Sequence, residues 1–181
     1  MTAPISVRTN HLTKTYGTKT AVDDLNLTIF DGELFALLGV NGAGKTTTIK
    51  MLSCLVAPTS GDATLLGDSI VSNPQAVKAK INVSPQETAV ARNLSVRENL
   101  ELIAGIYGFD RKTSREKANN MIAAFSLEEV ADAKAHTLSG GMQRRLSIGM
   151  ALITDPKILF LDEPTLGLDV LARRELWSVI D

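Results

Sequence analysis

The sequence predicts an α/β fold that carries an inserted helical part, and two changes of texture along the chain, which define three parts, lead there. Up to about Gln86, short β-rich runs alternate with turn residues. From about Leu94 to Thr137, apolar residues recur at helical spacing, and at 158–161 a bare apolar run restores a strand. With 181 residues the chain suits one domain with a small insertion and can bury a sizeable core.

The elements follow in order. Asp31-Gly32 separates a β-rich run at 25–30 from another at 34–38, and Pro58 to Gly61 precedes a third at 63–66. A helical run is expected over 47–52. In the middle part Val96, Leu100, Ile103 and Tyr107, then Ala118, Ile122 and Phe125, fall on helical faces. A further helix is expected from Gly141 to Ile153, ending near Asp155-Pro156, because proline disfavours helix in the residue before it. The run 158–161 has no polar face, as a central strand of a parallel sheet covered by helices requires. The helical part therefore runs from about Leu94 to Thr137, and after Gly141 the chain returns to a helix-and-strand pattern.

Composition narrows the function. Hydrophobic residues make up 44% and charged residues 22%, which is ordinary globular usage. Nineteen Lys and Arg against 20 Asp and Glu leave a net charge of −1, so no global basic field favours nucleic acid and none is expected as a partner. Cys54 is the sole cysteine; it makes no internal disulfide and is expected as a small buried apolar side chain. Met1 to Asn10 lacks the apolar stretch of a signal peptide, and no apolar run approaches the roughly 20 residues a bilayer span needs. A membrane role would need a partner.

Gly39-Val40-Asn41-Gly42-Ala43-Gly44-Lys45-Thr46 matches G-x-x-x-x-G-K-[ST] between an expected strand and an expected helix. Glycines let such a loop bend round phosphate with its N–H groups inward, and the next helix adds its positive end. Lys45 would reach the β- and γ-phosphates, and the Thr46 hydroxyl would ligate Mg²⁺. Gly39, Asn41, Gly42, Ala43, Gly44, Lys45, Thr46 and Thr47 form the expected phosphate cradle, and taken alone the motif says nucleotide, not which reaction.

At the end of the 158–161 strand stand Asp162 and Glu163, where open α/β sheets place their ligands. Asp162 would hold Mg²⁺, and Glu163 would orient and deprotonate the attacking water. Leu138-Ser139-Gly140-Gly141 sets free N–H groups, two glycines and a hydroxyl at another helix start, a second candidate phosphate surface.

The phosphate loop, Gln86, Leu138-Ser139-Gly140-Gly141, the strand ending in Asp162-Glu163 and Gly167-Leu168-Asp169, in that order, resemble the ATP-binding-cassette ATPases over nearly the whole chain. The run Met142-Gln143-Arg144-Arg145-Leu146 looks like the daunorubicin-resistance and sodium-export type. The resemblance implies a P-loop NTPase fold that holds ATP in the 39–47 loop, with a RecA-like nucleotide-binding core at 1–87 and 155–181 that carries an N-terminal antiparallel β part, and an inserted helical subdomain at 88–154 that carries the Ser139-Gly140-Gly141 turn. It also implies head-to-tail pairing of two such domains on ATP binding, as a homodimer or with a second cassette. In that pairing Ser139, Gly140 and Gly141 hold the γ-phosphate across the interface, and Asp169 touches the partner. Gln86 would reach Mg²⁺ and the attacking water, and Tyr16 would stack on adenine. A separate transmembrane permease would place the chain at the cytoplasmic face of the cell membrane, powering export of a drug or small molecule.

The chain departs from the family pattern in two places. Met142 stands where the family has glutamine, with Gln143 behind it. No histidine follows Glu163, so the family's switch histidine has no counterpart, and His11 and His136 are expected as solvated loop residues. A domain truncated at its carboxyl end, binding ATP with weak or absent turnover, is therefore expected. Two other readings stand beside the transporter. A soluble cassette acting on ribosomes or DNA is expected to carry tandem cassettes, basic linkers or coiled-coil insertions, none of which appears here; a P-loop kinase or GTPase would leave Leu138 to Gly141 idle, and a GTPase would also carry Asn-Lys-x-Asp, which is absent.

Overall fold

A computed structural model describes residues 3–86 and 89–165. They form two compact units, the first running to Ile81 and the second beginning at Asn82.

The first unit is an antiparallel sheet with two helices. The long strand β1 (Ile5–Tyr16) pairs with β2 (Lys19–Leu25), with β3 (Thr28–Phe30) and with β4 (Ser60–Leu65), and β4 pairs with the short β5 (Asp68–Ser69). One strand serves three neighbours because register shifts interrupt each of its ladders and turn its ends to different partners. His11, at φ 50, sits where the ladder to β4 breaks; it is exposed as expected, but lies in a strand rather than a loop. Helices α1 (Lys45–Leu52) and α2 (Pro74–Lys78) complete the unit. Its core is Val7, Leu12, Val22, Met51, Leu52, Leu65 and Val77.

Residues 34–38, expected as a strand, form none: Leu34 and Leu38 are 65% and 89% exposed. An apolar run becomes a strand only when neighbouring backbone completes its ladder, and none of the described strands pairs with it. Cys54 is half-buried rather than buried, and burial pushes its thiol pKa up.

The second unit begins in β6 (Ile81–Ser84), which pairs with β7 (Ile158–Leu161). Between them lie α3 (Val96–Ile106), α4 (Arg111–Ala124), two short 3₁₀ turns and α5 (Gly140–Leu152). Ser95 caps α3 in a reciprocal capping box with Glu98, and Asp110 caps α4 by accepting from Thr113 N–H. Leu100, Ala104, Ala118, Ile122, Phe125, Leu146 and Ile148 make one apolar cluster beneath these helices. Buried Asn99 ties the preceding loop down, accepting from Ala91 N–H and donating to the carbonyls of Ala91, Leu94 and Ser95. The strand β7 is half-buried along its whole length, not the fully covered central strand expected, because β6 is its sole ladder neighbour among the described residues.

Candidate functional site

The candidate residues divide between the units. In the first, the loop at 39–44 closes on itself through Ala43 N–H donating to Val40 O at 3.1 Å. Gly44 is the N-cap of α1 at φ 88, and a Cβ there would lie 2.2 Å from Ala21 O on β2. Both its conformation and its packing therefore exclude a side chain. Helix α1 starts at Lys45, two residues earlier than expected, so Lys45, Thr46 and Thr47 all lie in its first turn, where N–H groups have no intrahelical acceptor. Thr48 N–H closes the turn on Gly44 O at 2.8 Å. The Lys45 ammonium donates to Gly39 O at 2.7 Å and Val40 O at 3.1 Å, which keeps its charge at the loop. Asn41, Gly42 and Ala43 are exposed. Tyr16, at the end of β1, is 48% exposed, with Lys14 Nζ 5.1 Å from its ring centroid.

In the second unit β7 delivers Asp162 and Glu163. Asp162 is buried, and its N–H donates to Ser84 O at 3.0 Å, extending the β6–β7 pairing by one bond. Glu163 is in the left-handed region at φ 48, a conformation a non-glycine residue holds only when its surroundings impose it. Its Oε2 accepts from Gln86 Nε2 at 3.1 Å. Two side chains 77 positions apart, each singled out for hydrolysis, are thus in direct contact.

Ser139 is the N-cap of α5, which begins one residue before expected, and its Oγ accepts from Met142 N–H at 3.3 Å. Gly140 is exposed and a Cβ there would meet nothing within 4 Å, so packing within this chain does not call for glycine. Gln143 turns back to donate to Leu138 O at 3.1 Å. Asp169 lies outside the described residues.

Residues 22–166 match the family model described as ABC transporter. The chain belongs to the ABC transporter family. It is 39% identical over 97% of its length to the daunorubicin/doxorubicin resistance ATP-binding protein DrrA of Streptomyces peucetius, and 42% identical over 91% to the Nod factor export ATP-binding protein I of Paraburkholderia xenovorans. It spans about half the length of these relatives, 53% and 54%. Among solved structures it is similar to a dimeric post-hydrolysis ATP-binding cassette bound to ADP and Pi, with a TM-score of 0.86 and 28% identity over 96% of this chain and 81% of that one. The fold is accordingly the P-loop ATPase fold of ABC domains.

The donor set fits Mg²⁺ and a nucleotide. No cluster of three His, Cys, Asp or Glu exists among the described residues. Mg²⁺ needs none, since it is held by one or two carboxylates with hydroxyl, water and phosphate oxygens. Beside Asp162, the fully buried Ser84 Oγ has no hydrogen-bond partner, a polar group that a ligand-bound water would satisfy.

Sequence reasoning missed Ser84 and Arg144. Arg144 is 3% exposed on α5 and donates to main-chain oxygens of Gln86 and Asp162. Its signal was there as one of two adjacent arginines behind Ser139-Gly140-Gly141, but nothing in the spacing tells which of the two turns inward.

Proposed function

We propose that this chain is the ATP-binding and hydrolysing subunit of an ABC exporter. It works at the cytoplasmic face of the membrane through a separate transmembrane permease, and pairs head to tail on ATP binding with a second copy or a second cassette. The observation that carries the reading is the Gln86–Glu163 contact at the end of β7, in a chain that also carries a complete phosphate loop. Export is favoured by the relatives, whose names describe drug resistance and Nod factor export. No described helix is long and apolar enough to cross a membrane.

Each residue then has a task. The N–H groups of residues 39–47 and the Lys45 ammonium bind the phosphates, and Tyr16 offers its ring to the adenine. Thr46, Asp162 and the Gln86 amide oxygen are the protein oxygens for Mg²⁺, which when bound neutralises the charge that builds on the phosphates during in-line displacement. Glu163 accepts a proton from the attacking water at its carboxylate, and Gln86 keeps that carboxylate oriented. Ser139, Gly140 and Gly141 face the γ-phosphate held by the partner cassette, with Asp169 beside them. The open space at Gly140 supports this, because the glycine is left for something outside the chain to approach.

The test is the rate of Mg·ATP hydrolysis over a wide range of protein concentration, beside Glu163→Gln. The expected rate is low, rises faster than linearly with concentration and falls about a hundredfold or more in the variant. A linear rate that Glu163→Gln leaves untouched contradicts the assignment.

A further inference from the structure

Arg144 carries the one buried guanidinium among the described residues, and its hydrogen bonds have an unusual destination. Nη1 donates to Pro85 O and, at 3.3 Å, to Gln86 O; Nη2 donates to Asp162 O at 2.7 Å; Nε donates to Pro164 O at 3.3 Å. Four of the five N–H directions of a planar fork are thereby spent on main-chain carbonyls, in two backbone segments that are far apart in sequence. Burial lowers the pKa of the guanidinium and the nearby Asp162 and Glu163 charges raise it again; arginine keeps its proton throughout.

The carbonyls it takes are informative. Those of Asp162 and Pro164 straddle Glu163, the residue held at φ 48. Those of Pro85 and Gln86 end the β6 connection that presents the Gln86 amide to Glu163. A left-handed glutamate between two clamped peptides is the over-determined backbone that such a conformation needs. The neighbouring Arg145 is built differently: its Nη1 donates to Phe125 O, in the helical cluster.

We propose that Arg144 is a positioning residue for hydrolysis, cross-linking the backbone of Gln86 to the backbone on both sides of Glu163 so that the two side chains meet. This rests on the reading of Gln86 and Glu163 as the hydrolytic pair. It makes helix α5, which begins at the Ser139 cap, the element that also sets the geometry of this chain's own acidic turn. Lysine cannot substitute, because one ammonium cannot span carbonyls in two segments with fork geometry.

The experiment has a readout independent of turnover. The protein has three glutamines, Gln75, Gln86 and Gln143, so selective ¹⁵N-glutamine labelling gives three side-chain amide signals, with Gln86 assigned by its loss in Gln86→Ala. In Arg144→Lys and Arg144→Met the Gln86 signal is expected to move to the position it takes in Glu163→Ala, while Gln75 stays in place; Arg145→Lys leaves Gln86 where it was. In hydrolysis Arg144→Lys is expected to lower kcat at least tenfold with the ATP Kd within twofold. In a Gln86→Ala background the same substitution costs less than twofold more. A Gln86 signal that does not move in Arg144→Lys overturns the proposal, as does the collapse of all three signals in both Arg144 variants, which would make the residue a general determinant of the fold. Absence of turnover in the unsubstituted chain counts against the functional reading alone, and the amide signals still decide the role of Arg144.

Discussion

The phosphate loop and the acidic turn are both bends that follow apolar runs and carry candidate chemistry, yet they are held by opposite means. The loop is held locally: Gly44 supplies the left-handed cap, Ala43 N–H closes on Val40 O, and Lys45 lies over Gly39 and Val40. The turn contains no glycine, and Glu163 adopts φ 48 between two carbonyls clamped by a side chain some 20 positions upstream. A locally held bend is robust to changes elsewhere in the chain. A remotely held one responds to whatever moves the helix that holds it.

The largest effect that separates the two comes from the helical cluster. Phe125 is 2% exposed and lies against Gly149 on α5, where a Cβ would come within 3.2 Å of its ring. Phe125→Ala is expected to cost about 3–5 kcal/mol of stability. In the fraction that remains folded, turnover should fall while ATP affinity holds, as read by chemical denaturation beside nucleotide titration. Equal losses of both would erase the contrast.

A smaller effect isolates the loop. Gly44→Ala puts a methyl against Ala21 O and strains φ, so a loss of more than about 2 kcal/mol and of ATP binding is expected. Gly42→Ala, at φ 84 with nothing within 4 Å, bears only the strain, about 1–2 kcal/mol. Thermal melts with and without Mg·ATP would rank them, and a reversed ranking would show that packing on β2 does not define the loop.

What could be read from the chain follows the same division. The glycine bend ahead of α1, the cap at Ser139 and the helices around Leu100 and Ile122 were legible because residue type and spacing within a few positions determine them. Residues 34–38 were misread as a strand, and β7 as fully covered, because a ladder belongs to two segments and an apolar pattern describes one. The inward turn of Arg144 was invisible for a related reason. Its partners are backbone oxygens, which every residue has, so no residue type marks them.

The smallest effect concerns the helix starts in the second unit. Glu98 is held below its ordinary value of 4.5 by Ser95 N–H and then by Lys134, and Asp110 below 3.8 by Thr113 N–H. Depressed carboxyl pKa values give stability that is present above the ordinary values and is lost as pH falls below them. Glu98→Gln, which removes the carboxylate that Ser95 N–H holds, is expected to flatten the acid limb of the stability profile below about pH 4.5, whereas Ser95→Ala keeps that N–H and is expected to cost about 1 kcal/mol near neutrality through the lost cap while leaving the limb in place. Urea midpoints from pH 7 to pH 3 would show an unchanged acid limb in Glu98→Gln if the capping box does not contribute.

The most direct test of the whole account measures Mg·ATP affinity and single-turnover hydrolysis on the same samples of the unsubstituted chain, Lys45→Ala and Glu163→Gln. Lys45→Ala is expected to weaken binding by about 3 kcal/mol, more than a hundredfold, through its lost charge-assisted contacts. Glu163→Gln is expected to bind as the unsubstituted chain does and to hydrolyse about 10²- to 10⁴-fold more slowly. Binding that ignores Lys45, or hydrolysis that ignores Glu163, would contradict the division of labour between the loop and the turn.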